Sequence, residues 1–178
     1  PQPVSTSTIG MIQAVDPTDL PSGVAVNTPI AIRNPSDAAE LPDAVKEELD
    51  TIWDNQGGTV VLNFVDEGAD STELATNATG DATAKTGVHA FSKATAMGLP
   101  KPKIFPTSGI ATAGVGLADG VIAELITVAT GLRGFVFVDG PGTTIADAKT
   151  AAGLIANKRA TICDDKILKT VSGLSLIH

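Results

Sequence analysis

The sequence predicts an α/β domain with a mainly parallel sheet flanked by helices. Short apolar runs, KIFPT at 103–107, GFVFVD at 134–139 and ATICD at 160–164, alternate with two longer segments of helical periodicity at about 115–130 and 143–157. TVVLNFV at 59–65 is apolar at nearly every position, the pattern of a strand covered on both faces. Strands alternating with amphipathic helices need crossover connections, which produce parallel pairing with helices over the sheet.

The elements follow in order. VSTSTIGMIQAV, residues 4–15, is rich in Val, Ile and Thr and stops at Asp16-Pro17, so it predicts a strand ended by a turn. IAI at 30–32 predicts a second, shorter strand. Pro42 suits a first helical turn, and Val45, Leu49, Ile52 and Trp53 then recur at helical spacing until Gly57-Gly58. Trp53 thereby belongs to an apolar stripe and is expected in the core. From Asp66 to about residue 87 the chain turns Thr-, Ala- and Asp-rich with little to bury, which predicts a mobile surface excursion. VHAFSKATAM, 88–97, predicts a short helix. In the helix at 115–130, Val121, Ile122, Leu125, Ile126 and Ala129 form one face; in that at 143–157, Ile145, Ala148, Ala152 and Ile155 do. The tail, KILKTVSGLSLIH, carries no recognisable terminal element.

At 178 residues and 43% hydrophobic content the chain can bury one sizeable core, so residues 1–178 are read as a single domain. Twelve basic against twenty acidic residues give a net charge of -8, with the cations scattered. A phosphate backbone would be repelled, and with no Tyr, one Trp and five Phe, stacking platforms are scarce; no nucleic-acid partner is expected. The longest apolar stretch, GVIAELITVATGL, is interrupted by Glu124 and is too short for a membrane span. PQPVSTST has neither the basic leader nor the apolar run of a secretion signal.

In a parallel α/β sheet ligands sit at the carboxyl ends of the strands, where Asp66, Ser108, Asp139 and Asp164 are placed. Asp139 opens the loop Asp139–Gly142, and a phosphate could meet the amides of the following helix. Yet the loop brings no Lys or Arg, Pro141 lacks an amide hydrogen, and Asp139 opposes an anion. The competing reading is a corner in which Gly140 and Gly142 allow unusual backbone angles and Thr143 or Thr144 caps the helix. GVGLADG at 114–120 has its glycines at the wrong spacing for a dinucleotide fingerprint. A hydrolase would combine Ser108 with His89 and Asp139, but Pro106-Thr107-Ser108-Gly109 is not a nucleophile elbow. Cys163 stands alone, so no internal disulfide forms, and its apolar run predicts a buried, inert thiol. Asp164-Asp165 could hold a cation only with a third acid, and the histidines His89 and His178 lack zinc-ligand spacing; no metal or cofactor is expected.

The order of segments resembles a known family. STSTIGMIQAV, then PIAIRN, then GGTVVLNFVDEG, then TGVHAFSKATAMGLPKPKIFPTSG, and finally LRGFVFVDGPGTTIADAKTAAGLIANKRATICDD are similar to the tail sheath proteins of contractile-tailed bacteriophages and R-type pyocins. The likeness runs over roughly residues 5 to 165 and rests on segment order more than on any one motif. It implies an α/β domain of subtilisin-like layout without a catalytic triad, and a virion structural protein that is not an enzyme. Its implied partners are other sheath subunits in six-fold rings and the inner tail tube, and its implied place is the tail sheath, assembled in the host bacterial cytoplasm. Members of the family also have an arm before the first strand and a further region and arm after the last. This chain lacks both, so the expectation is a fragment that is monomeric or weakly associating in isolation. The reading from the residues alone leaves an alternative open: a small hydrolase or nucleotide-binding domain using Ser108 or the Asp139–Gly142 loop.

Overall fold

A computed structural model describes residues 8–55, 58–116 and 118–163. Among these described residues six strands form one sheet: β1 (Ile9–Val15), β2 (Ile30–Ile32), β3 (Val60–Asp66), β4 (Ile104–Pro106), β5 (Phe135–Asp139) and β6 (Ala160–Cys163). The α-helices among the described residues are α1 (Asp43–Asp54), α2 (Ser71–Thr79), α3 (Ala118–Leu132) and α4 (Ile145–Ile155). The strand order is β2-β3-β1-β4-β5-β6. All pairings are parallel except β2 with β3. The α/β class is therefore as the apolar rhythm predicts.

The sheet separates two apolar clusters. On one face α2, α3 and α4 pack over all the strands but β2, with Ile12, Val61, Val65, Phe105, Val136 and Val138 beneath them. On the other, α1 lies over β1, β2 and β3 through Val45 and Leu49, against Met11, Val15, Ile32, Val60, Leu62 and Phe64. Strand β3 is thus sandwiched, which is why six of its seven residues are buried and its sequence does not alternate. Trp53 sits at the margin of the second cluster, half-buried. Close packing reaches the backbone at Phe105. Its ring stacks edge-on to Phe91 at 5.3 Å, and a Cβ on either Gly10 or Gly134 would come within 2.6 Å of it.

The structure corrects four expectations. Residues 71–79, expected to be part of an excursion with little to bury, form helix α2, with Ala78 buried and Leu74 and Ala75 against the core. Asp70 caps it by accepting the amides of Thr72 and Glu73 at 2.8 and 2.9 Å, and Glu73 reaches back to the amide of Ala69 at 2.9 Å. The short helix expected over 88–97 is a 3-10 run at Gly87–Lys93. In α4 the buried residue is Ala151, flanked by Ile155; Ile145 and Ala152, expected inward, are exposed. Cys163, expected to be buried, is exposed, because β6 is an edge strand with only Ala160 and Ile162 turned to the core. The tail from residue 164 and the glycine stop at Gly57 lie outside the described residues.

Candidate functional site

Leaving aside the antiparallel β2, the parallel strands run β3-β1-β4-β5-β6, so successive connections diverge between β1 and β4. The carboxyl ends of those two strands flank the crevice where such folds place ligands. Beyond β4, Thr107 is buried and fastens the corner: its amide donates to the Phe137 carbonyl at 2.9 Å, and its hydroxyl accepts the Asp139 amide at 3.0 Å. Ser108 and Gly109 follow, exposed, with Gly109 at φ +72°.

Two residues that the sequence reading did not single out meet this corner. Gln13 on β1 donates its amide to Glu48 Oε2 on α1 at 2.6 Å. Glu48 Oε1 lies 3.9 Å from where a Cβ on Gly109 would stand. Burial pushes the Glu48 carboxyl above its ordinary range, the bond from Gln13 opposes this, and the charge of Asp139 adds to the rise. A signal for Glu48 was present in α1, where positions 45, 48, 49 and 52 share one helical face and Glu48 is the polar member. Gln13 had no local signal, because its partner is 35 residues away.

The Asp139–Gly142 loop is a corner filled from within. The Gly140 amide donates to the Cys163 carbonyl at 2.8 Å, and Gly142 takes φ +60°. Thr144 caps α4 by accepting the Asp147 amide at 3.1 Å. The Asp147 carboxylate in turn accepts the hydroxyls of Thr143 and Thr144 at 2.6 and 2.9 Å, which hold it below the usual carboxylate range. The start of α4 therefore already has an anion in its first turn, where a phosphate would have to compete with it.

The remaining candidates are dispersed. His89 is buried on the face carrying α3, with Nε2 3.3 Å from Glu124 Oε2. Ser108 stands at the strand ends, and its hydroxyl makes no hydrogen bond among the described residues. Asp66 accepts the Gly68 amide at 2.9 Å, a turn contact. In the 114–120 segment Asp119 accepts the Gly114 amide at 2.9 Å, closing the loop before α3. Asp164 and Asp165 lie outside the described residues. Among the described residues no three His, Cys, Asp or Glu side chains converge as metal ligands.

Beside the same corner, an open cleft of about 450 Å³ runs between α2 and the 109–118 loop. Leu74, Ile110, Ala111 and Val115 make it largely apolar, and Ser71 and Thr112 supply hydroxyls. No Lys or Arg is among the described residues that line it, so those residues offer a phosphate no charged partner. Among the described residues no helix is long and apolar enough to cross a membrane. No protein-family model matches the chain, and no curated protein matches it.

Proposed function

We propose that the chain is the α/β portion of a contractile tail sheath subunit, a structural protein that polymerises around an inner tube and shortens to drive it through a target envelope. The observation that carries this reading is where the family-like segments fall in the fold. GGTVVLNFVDEG contains β3, KPKIFPTSG contains β4 and its corner, and LRGFVFVDGPGTTIADAKTAAGLIANKRATICDD contains β5, α4 and β6. The resemblance therefore follows the framework of the sheet and its corners rather than a constellation of reactive groups. A sheath subunit must transmit force and change its contacts between two discrete arrangements, and a close-packed sheet with helices on its faces supplies the stiffness.

The reading is tested by immunogold electron microscopy of contractile particles from the organism that encodes the chain, with antibody raised against it. Gold along the sleeve of the tail is the expected result. Gold absent from the particles, with the antigen recovered free in the lysate, contradicts it.

A second reading, a small hydrolase or nucleotide-binding domain, is favoured by the exposed Ser108-Gly109 corner at the β1/β4 crevice beside Glu48. A thermal-shift screen with nucleotides and divalent ions separates the two, since a ligand at a hundredfold excess over its dissociation constant stabilises the folded state by about 2.7 kcal/mol.

A further inference from the structure

Cations that are scattered in the sequence are gathered by the fold. Lys101 and Lys103 lead into β4, Arg133 into β5, and Lys158 and Arg159 into β6, and these three strands lie side by side and parallel. Five of the chain's twelve Lys and Arg therefore stand at one edge, the amino ends of adjacent strands. Two of them are anchored there. Lys103 Nζ donates to the Leu132 carbonyl at 2.5 Å and Arg159 Nη1 to the Gly134 carbonyl at 3.1 Å, so their charges flank Arg133, which takes φ +56° in the turn after α3. Loss of hydration holds the Lys103 ammonium below its ordinary range, and the charges of Lys101, Arg133 and Arg159 add to the fall. Lys101, Arg133 and Lys158 are exposed. None of the five forms an ion pair among the described residues, and the stretches entering the strands, 100–103, 133–134 and 156–159, contain no Asp or Glu. Lys103 is accounted for by the carbonyls that end α3, where a cation is favoured. The other charges crowd beside it without an acid to offset them.

We infer that this basic edge binds the outer face of α1 on a second copy of the chain. Asp43, Glu47, Asp50 and Asp54 recur at i, i+4, i+7 and i+11, the spacing of one helical stripe, and all four are exposed, whereas Val45 and Leu49 hold the opposite side of the helix to the sheet. Lys46 meets Asp43 at 2.7 Å; Glu47, Asp50 and Asp54 form no ion pair among the described residues. The dimensions agree with the signs. From 43 to 54 the stripe runs about 16 Å, and three strands about 4.8 Å apart set the basic edge at about 10 Å before its long side chains extend it. A nucleic acid fits less well, because a long polyanion that touched this edge would run on over a surface whose net charge is -8. The stripe of a second copy ends where the edge ends. Because the two patches differ, the contact is of the head-to-tail kind. Two acidic chains also repel as wholes, so the contact is weak and shows best near 0.15 M salt, where charges more than about 8 Å apart are largely screened. Nothing in this pairing requires the sheath reading, which the immunogold experiment tests separately.

A charge swap tests the pairing. One variant carries Lys101→Glu and Arg133→Glu, the other Glu47→Lys and Asp50→Lys; all four side chains are exposed, and the anchored Lys103 and Arg159 are left in place. Sedimentation equilibrium is run on the unaltered chain, on each variant and on their equimolar mixture, up to millimolar protein, after the circular dichroism and melting temperature of each variant have been matched to those of the unaltered chain. The expected result is an average mass that rises with concentration for the unaltered chain, an association constant at least about tenfold lower for each variant alone, and recovery of association in the mixture, where each reversed patch meets its new complement. An unaltered chain that stays monomeric throughout overturns the inference, as does either variant associating like the unaltered chain or a mixture that fails to recover. A monomeric chain retained on heparin through Lys101 and Arg133 also overturns it, and would assign the edge to a polyanion.

Discussion

Gln13 on β1 and Glu48 on α1 share a 2.6 Å hydrogen bond at the crevice where the strand order diverges. It is a bond between a strand and the helix that covers it, and it holds a carboxyl that burial has pushed above its ordinary value of 4.5. Below that pH the group is protonated in the folded and unfolded chains alike. As pH rises from 4.5 the unfolded chain loses the proton first, so stability falls until the folded carboxyl ionises too. Glu48→Gln keeps an acceptor for Gln13 and removes the titration. The melting temperature of the variant is expected to vary less between pH 4.5 and neutrality and to equal or exceed that of the parent at pH 7. A loss of the same size at pH 4 and pH 7 would assign the carboxylate a purely structural role.

Helix α2 depends on its cap. Asp70→Ala removes the acceptor for two amides and is expected to cost about 1 kcal/mol in denaturant unfolding, with hydrogen exchange accelerated across residues 71–79 first. Unchanged exchange there would mean that α2 is held by packing alone.

Gly87 is fixed by space as well as by angle. It sits at φ +56°, and a Cβ would lie 2.4 Å from the Ala78 carbonyl oxygen, whereas Gly98, at φ +73°, has nothing within 4 Å. Gly98→Ala is expected to cost about 1 kcal/mol through backbone conformation alone, and Gly87→Ala about 2–4 kcal/mol because the end of α2 must also move. Equal costs in chemical denaturation would show that the turn after α2 yields freely.

Ser108 is exposed at the sheet end, and the buried His89 faces Glu124. On the scaffold reading, a fluorophosphonate probe leaves the folded protein unlabelled, and Ser108→Ala changes neither stability nor any ligand response. Mass-spectrometric labelling confined to Ser108 would favour the hydrolase reading.

The parts of the fold that were legible are those in which burial is continuous along the chain. Strand β3 reads as apolar at nearly every position because both of its faces are covered, and α3 shows its stripe because Val121, Ile122, Leu125 and Ala129 all face the core. Helix α2 was missed because only Ala78 is fully buried and small residues leave no periodic signal, although Asp70 and Glu73 spell out its cap. The face of α4 was misplaced for a related reason. Its inward position is an alanine, while Ile145 and Leu154 are exposed. The exposure of Cys163 could not be read locally, because it follows from an edge position in the strand order and not from the apolar run around it. At the site, the corner residues Ser108 and Asp139 were located by the rule of strand ends. The Gln13–Glu48 bond joins residues 35 apart and belongs to tertiary structure alone.

The most direct test of the sheath reading is deletion of the coding sequence in the organism that produces it, followed by cryo-electron microscopy of the tailed particles. The account predicts tails with bare inner tubes and no contractile sleeve, restored when the gene is supplied in trans. Particles with intact sleeves that contract normally in the deletion strain would contradict it.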